Sequence, residues 1–232
     1  SLKKIKRAIV FGIPEVPNVI ISLLYSGFDK VMLVNYKGAT EVGYYDFGNR
    51  FAGILKIFID AIGKSFSPYF LEKISSNEKN SKKKIVSTFY ELISILGIVA
   101  LIISLFSEEA LIVLTNENFY MAKVLVPFLI LYYLFSILGQ LSINQFIHAE
   151  KLYYLAPISI LGLVSNVILN ILLIPIYGVI GAVVATTISG TITSIIQLYY
   201  ANKILPLPIN IYRLIKLYLI ILILLVFSYP LI

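Results

Sequence analysis

The stretch GYYDFGNRFAGILKIFIDAIGKSFSPYF, residues 43–70, is apolar enough to cross a bilayer, yet it carries Asp46, Arg50, Lys56, Asp60 and Lys64. A helix turns about 100° per residue, so with Asp46 at zero Arg50 falls near +40°, Lys56 near −80°, Asp60 near −40° and Lys64 near 0°. All five charges, with Gly53, therefore share an arc of about 120°. Phe51, Ile54, Leu55, Phe58, Ile62 and Phe66 fall mainly outside it. Each ionisable group at the bilayer centre costs at least about 2.5–3.5 kcal/mol, so a charged stripe on a spanning helix is expected to turn away from lipid.

Within the stripe, Asp46 and Arg50, Lys56 and Asp60, and Asp60 and Lys64 are each four residues apart, the spacing at which opposite charges pair on a helix surface. One reading is a self-neutralised ladder that only packs against other helices. Depth favours more than packing. At about 1.5 Å per residue, Lys56 lies about 18 Å from an outer end at Tyr44, near the middle of a core about 30 Å thick. Lys64 is nearer the other surface, where a long side chain can snorkel. Arg50 sits in the outer third and offers the planar fork that suits phosphate or carboxylate. Three cations against two anions leave the stripe positive, which suits an anionic ligand in a water-filled cavity. In the preceding span Glu15 lies between Pro14 and Pro17, which predict a broken helix with freed carbonyls. Glu15 then either pairs with a cation of the second span or carries a proton.

The rest of the chain sets these residues in a membrane. Of 232 residues, 59% are hydrophobic and 13% charged, with a mean hydropathy of +0.92; soluble domains run at about 45–50% and 25%. That excludes a soluble core. The absence of cysteine excludes disulfides, thiolate metal sites and cysteine nucleophiles. About 20 mostly apolar residues make a span, which gives an all-α, polytopic bundle of about seven: 8–27, 44–70, 85–106, 121–147, 152–174, 178–201 and 212–232. Six of these spans fall within residues 1–201, and 202–232 make a connection with an additional helix.

The net charge of +7 is assigned to orientation, not to nucleic acid. Lys3, Lys4, Lys6, Arg7, the basic loop EKISSNEKNSKKK at 72–84, Lys151, Lys203, Arg213 and Lys216 all fall on one side, which predicts a cytoplasmic N-terminus. The opposite side holds Lys30, Lys37 and Lys123, set against Asp29, Glu41, Glu108, Glu109 and Glu117, with Asp29 to Glu41 in the outer loop between the first two spans. The start SLKKIKRAIVFGIPEVP has basic residues before an apolar run but no small-residue cleavage site, and the initial Ser suggests a piece of a longer protein.

Gly181, Ala185, Ser189 and Thr193, with Ala182, Thr186, Gly190 and Ser194 beside them, predict close helix packing. Gln140 with Asn144, and Asn166 with Asn170, are read as bonds between neighbouring helices, and His148 as interfacial. The sequence offers no metal-ligand cluster, serine triad, glycine-rich phosphate loop or paired catalytic carboxylates, so no catalytic residue, metal or cofactor is expected.

Two stretches carry a family resemblance. FDKVMLVNYKGATEVGYYDFGNRFAGI (28–54) resembles the Asp-basic-apolar loop and Glu-Val-Gly-x-Tyr that open the second half of polysaccharide flippases. NVILNILLIPIYGVIGAVVATTIS (166–189) resembles their Leu-Asn-x-x-Leu-Ile-Pro-x-x-Gly-x-x-Gly-Ala motif. These belong to the multidrug/oligosaccharidyl-lipid/polysaccharide exporter superfamily. The resemblance implies the C-terminal six-helix lobe of a two-lobed transporter in the cytoplasmic membrane. It also implies a polyprenyl-diphosphate-linked oligosaccharide substrate, alternating access, and as partners the bilayer, an N-terminal lobe and glycosyltransferases or a polymerase. Carried onto this sequence, Arg50 and then Lys56 meet the diphosphate, with Lys64 near the cytoplasmic mouth, while Asp46 and Asp60 hold those cations and Glu15 couples or gates. A cation-driven multidrug exporter of the same fold would instead rely on Asp46, Asp60 or Glu15, and a membrane scaffold for glycosyltransferases on none of them.

Overall fold

A computed structural model of the chain describes residues 15–76, 78–115 and 117–228. The described residues form eight α-helices and no strand: α1 (Glu15–Lys37), α2 (Ala39–Ser75), α3 (Ser81–Leu105), α4 (Ser107–Leu114), α5 (Val126–His148), α6 (Leu155–Tyr177), α7 (Val179–Ile204) and α8 (Ile211–Ser228). Short 3-10 turns at Glu117–Leu125 and Leu152–Tyr154 lead into α5 and α6.

Five stretches are long and apolar enough to cross a membrane: Val19–Lys37, Ser81–Leu105, Phe119–His148, Leu152–Tyr177 and Val179–Ile204. The chain is thus an all-α, multi-pass membrane protein. Of the other two expected spans, α2 has 37 residues, about 55 Å of helix, but carries the charged stripe. The described part of α8 has 18 residues, at the limit for a span.

The largest departure from expectation lies in the first span. It was expected at 8–27, followed by a loop, but the helix continues through Asp29 and Lys30 to Lys37. Gly38, at φ +92°, ends it by donating to the carbonyls of Leu33 and Val34 at 3.1 Å each, a left-handed helix stop that glycine adopts without penalty. Helix α2 starts at the next residue. Pro17 does not break the described helix, which runs from Glu15 through it to Lys37. Pro14 and the basic residues before it lie outside the described residues.

By internal contacts the chain divides into two compact units, Ser1–Glu41 with Leu138–Pro206, and Val42–Ile137 with Leu207–Ile232. In the first, α1 packs on α6 and α7, and Phe146, Leu152, Leu155, Ile158 and Ala201 form an apolar core. The small-residue stripe does what its spacing predicts: Gly181, Ala182, Ala185, Thr186, Ser189 and Ser194 are all buried along α7. In the second unit, α3 packs on α8, and Gly97 leaves room for the side chain of Ile221. The Tyr218 hydroxyl donates to the Leu134 carbonyl at 2.9 Å, and its ring stacks on Phe135.

The basic loop between α2 and α3 is held by one carboxylate. Glu78 accepts from Lys73 at 2.9 Å and from Lys84 at 3.0 Å, joining the last turn of α2 to the first turn of α3. These two ammonium groups lower its pKa to about 2. A depressed carboxylate pKa adds stability above the ordinary carboxylate range, and that stability is lost as pH falls through the folded value. Hydrogen exchange over residues 78–84, corrected for intrinsic rates, should therefore stay slow from pH 7 to about pH 5 and quicken progressively toward pH 2. In Glu78→Gln it should be faster near pH 7, with the difference closing toward pH 2; equal protection in the variant near pH 7 would show that the clasp does not hold the loop.

Candidate functional site

Helix α2 presents three sectors. Tyr45, Gly48, Ala52, Leu55, Ile59, Phe66 and Phe70 are buried and occupy one arc, from about −100° to 180° on the wheel that sets Asp46 at zero. The second sector is the charged stripe, and the third is exposed and apolar, with Ile54 and Phe58. The buried sector fixes the helix rotation. A side chain at Gly48 would place its Cβ 3.1 Å from that of Leu125, and the Tyr133 hydroxyl donates to Asn49 Oδ1 at 2.8 Å. Asn49 immediately precedes Arg50, so this anchor sets where the guanidinium starts.

Among the described residues the stripe is largely exposed. Arg50, Lys56 and Lys64 are exposed, and Asp46 and Asp60 partly so. One of the three expected pairs forms: Lys56 Nζ meets Asp60 Oδ2 at 2.6 Å, with 54% and 43% of the two side chains exposed. Neither Arg50 nor Lys64 has an ion-pair partner among the described residues, so the expected Asp46–Arg50 and Asp60–Lys64 pairs are not made. Lys56 is already neutralised one turn away, which leaves Arg50 and Lys64 as the cations open to a ligand. Glu15 opens α1, but its side chain lies outside the described residues.

A second polar site went unrecognised in the sequence. Asp29, expected in an outer loop, is fully buried in the middle of the α1 helix, facing α6 and α7. Thr186 Oγ1 donates to Asp29 Oδ2 at 2.7 Å, and Asn170 Nδ2 donates to Asp29 Oδ1. The Asn170 amide also reaches Asn166 Oδ1 at 3.1 Å, and the Asn166 amide reaches Thr186 Oγ1 at 3.4 Å. One turn away along α1, the Tyr25 hydroxyl donates to the Thr186 carbonyl at 3.0 Å and bonds Ser189 Oγ. Asn166 and Asn170 do join helices, as their spacing suggested, but what they join is a carboxylate.

This arrangement has a specific chemical capacity. A buried carboxylate needs a proton, a cation or several donors to offset its desolvation. The side-chain oxygen of Asn170 is buried with no hydrogen-bond partner, so an acceptor stands free beside the acid. Thr186 shows that the small-residue stripe of α7 does more than pack. The signal available in sequence was the Asn166 and Asn170 pair, one turn apart on an otherwise apolar helix.

Comparison with known proteins follows this geometry. The sequence profile of the MatE family matches residues 14–172, more than half the chain. The chain is 24% identical to the probable low-salt glycan biosynthesis flippase Agl15 of Haloferax volcanii, over 88% of this chain and 43% of that protein. It is 25% identical to the probable flippase AglR of the same organism, over 74% of this chain and 37% of that protein. It is 24% identical to the capsular polysaccharide biosynthesis protein CapF of Staphylococcus aureus, over 88% of this chain and 52% of that protein. The chain thus spans about half the length of these relatives. No solved structure matches significantly.

Proposed function

The chain belongs to the MatE family, and from that premise we propose that it is the C-terminal lobe of a transporter that flips polyprenyl-diphosphate-linked oligosaccharides across the cytoplasmic membrane for glycan assembly. The observation that carries this reading is Arg50: an exposed guanidinium on a spanning-length helix, anchored behind by Gly48 and Asn49, with no ion-pair partner among the described residues. A cation so placed is costly against lipid and favourable against a diphosphate in a water-filled cavity. The names of the relatives, two of them flippases and one a capsule biosynthesis protein, support a glycan-linked substrate. Arg50 and Lys64 contact the diphosphate or acidic sugars, Lys56 and Asp60 form a neutral rung between them, and the N-terminal lobe of the longer protein completes the cavity. Transport proceeds by rocking of the lobes about a midplane site, with the lysine-rich loops on the cytoplasmic side.

The test is transbilayer movement of a diphosphate-linked oligosaccharide lipid in proteoliposomes of the full-length protein. A hydrogen bond to a charged group contributes about 1.5–3 kcal/mol, so Arg50→Ala should slow movement by about 10- to 100-fold, with Arg50→Lys intermediate. Unchanged movement in Arg50→Ala would remove the diphosphate assignment.

The Asp29 network favours an addition to this reading, that transport is coupled to a proton or a monovalent cation. The coupling carboxylate is then Asp29, in place of Glu15, Asp46 or Asp60. A multidrug exporter of the same fold would share that group, and a cationic dye whose movement survives Arg50→Ala would favour it.

A further inference from the structure

Where α3 and α8 begin, they form an open cavity of about 200 Å³ lined by Lys83, Ser87, Tyr90, Asn210 and Arg213, with the apolar Val86 and Pro208. We propose that it is a site for a phosphate group, supplied by an anionic phospholipid of the surrounding bilayer. It is distinct from the stripe on α2 and holds a structural lipid, not the transported one.

The cavity is built by a short set of directed contacts. Asn210 Oδ1 accepts the Arg213 amide at 3.0 Å and so caps the first turn of α8. The Asn210 amide donates to the Tyr90 hydroxyl at 2.8 Å, and that hydroxyl donates to the Asn210 carbonyl at 3.1 Å. This reciprocal pair pins the start of α8 to the third turn of α3. The Arg213 guanidinium then lies over the Tyr90 ring, 4.6 Å from its centroid, an attraction that holds the cation in place without neutralising it. Lys83 reaches the same space from α3. Neither Lys83 nor Arg213 has an ion-pair partner among the described residues, whereas the neighbouring Lys84 is committed to Glu78. Glu91, the acid nearest in sequence, accepts from the Ser87 hydroxyl at 3.2 Å.

Position selects the lipid as source. Helices α3 and α8 run parallel from this end: Tyr90 meets Asn210 and Arg213, and further along Gly97 meets Ile221. Beyond Glu91 on α3 and beyond Lys216 on α8 the described sequence carries no charge, so the cavity lies where both helices pass from polar to apolar surroundings. At about 100° per residue, exposed Ile98 and Leu105 on α3, and Ile220 and Leu224 on α8, share the helix faces of the cavity residues and continue away from it. A ligand with a phosphate at the cavity and acyl chains along that face matches both halves, as basic pockets between spanning helices do. The volume would hold several waters at about 30 Å³ each, which leaves room for a phosphate diester and part of its headgroup.

Native mass spectrometry of the full-length protein, exchanged against phosphatidylglycerol or phosphatidylcholine in mixed micelles, tests this. The wild type should retain phosphatidylglycerol in preference. Near an anionic surface each basic residue contributes about a fivefold change in binding, so Lys83→Gln or Arg213→Gln should weaken that preference about fivefold and the double variant about 25-fold. Lys79→Gln, which removes a charge outside the cavity, should leave it unchanged. No preference in the wild type, or an equal loss with Lys79→Gln, would overturn the site. Displacement of the lipid by millimolar inorganic phosphate would reassign it to free phosphate. The wild-type comparison decides the proposal even if a variant does not fold.

Discussion

Asp29→Asn is expected to abolish gradient-driven transport by the full-length protein while leaving its assembly intact. The substitution keeps the shape of the side chain and one acceptor, so the Asn170 amide can still donate to it. Thr186 can reverse its hydroxyl and accept from the new amide, since a hydroxyl both donates and accepts. What disappears is the negative charge, and with it any capacity to hold a proton or bind a cation between α1, α6 and α7. In proteoliposomes the wild type should move its lipid-linked substrate faster when a proton or sodium gradient is imposed. Asp29→Asn should move it at one slow rate with or without the gradient. Thr186→Val, which removes a donor to the carboxylate, should weaken the response without eliminating it. If Asp29→Asn still responds fully and Asp46→Asn or Asp60→Asn does not, the coupling carboxylate lies on the α2 stripe and the expectation from sequence is restored.

Why the stripe was legible and Asp29 was not has a physical reason. The stripe depends on one helix and the turn per residue, both local, so its residues and arc could be placed from sequence alone. Asp29 depends on where α1 starts. Counting 20 apolar residues from the N-terminal basic cluster fills the span by residue 27 and leaves Asp29 in a loop. With the described helix running from Glu15 to Lys37, the same residue falls inside the bundle. Glu41 was misread for a similar reason. It was counted among outer-loop acids, but its Oε2 accepts the Val179 amide at 2.7 Å and caps α7, joining the two motifs that carried the family resemblance. Which charges pair was also out of reach. Spacing permitted three rungs on α2, and the packing of Tyr45, Gly48 and Ala52 against the protein left one of them formed.

Gly181→Ala is expected to be among the most destabilising small changes available to this chain. Residues 173–181 turn back on themselves as α6 ends and α7 begins. A Cβ at Gly181 would lie 2.5 Å from the Leu173 carbonyl oxygen, 2.6 Å from its carbon and 3.1 Å from the Ile174 nitrogen. These are backbone atoms, so no rotamer change relieves the clash and the two helices must separate. Adding a methyl to a packed core typically costs about 1–3 kcal/mol, and here about 3 kcal/mol or more is expected. Gly178→Ala should cost a comparable amount for another reason. Gly178 adopts φ +58° and ψ −134°, a conformation that L side chains rarely tolerate, and its Cβ would press on Glu41 Oε2 at 2.7 Å. Gly53→Ala is the control, with nothing within 4 Å of its Cβ; in a helix interior it should be neutral or stabilise by up to about 1 kcal/mol. The check is the temperature at which half the detergent-solubilised full-length protein remains monodisperse after heating. A Gly181→Ala midpoint equal to that of Gly53→Ala would mean that α6 and α7 do not approach as closely as described. A large drop should also remove the gradient response, because the same helix pair carries Asn166, Asn170 and Thr186 to Asp29. That loss would come with instability, whereas Asp29→Asn should lose the response and keep its midpoint.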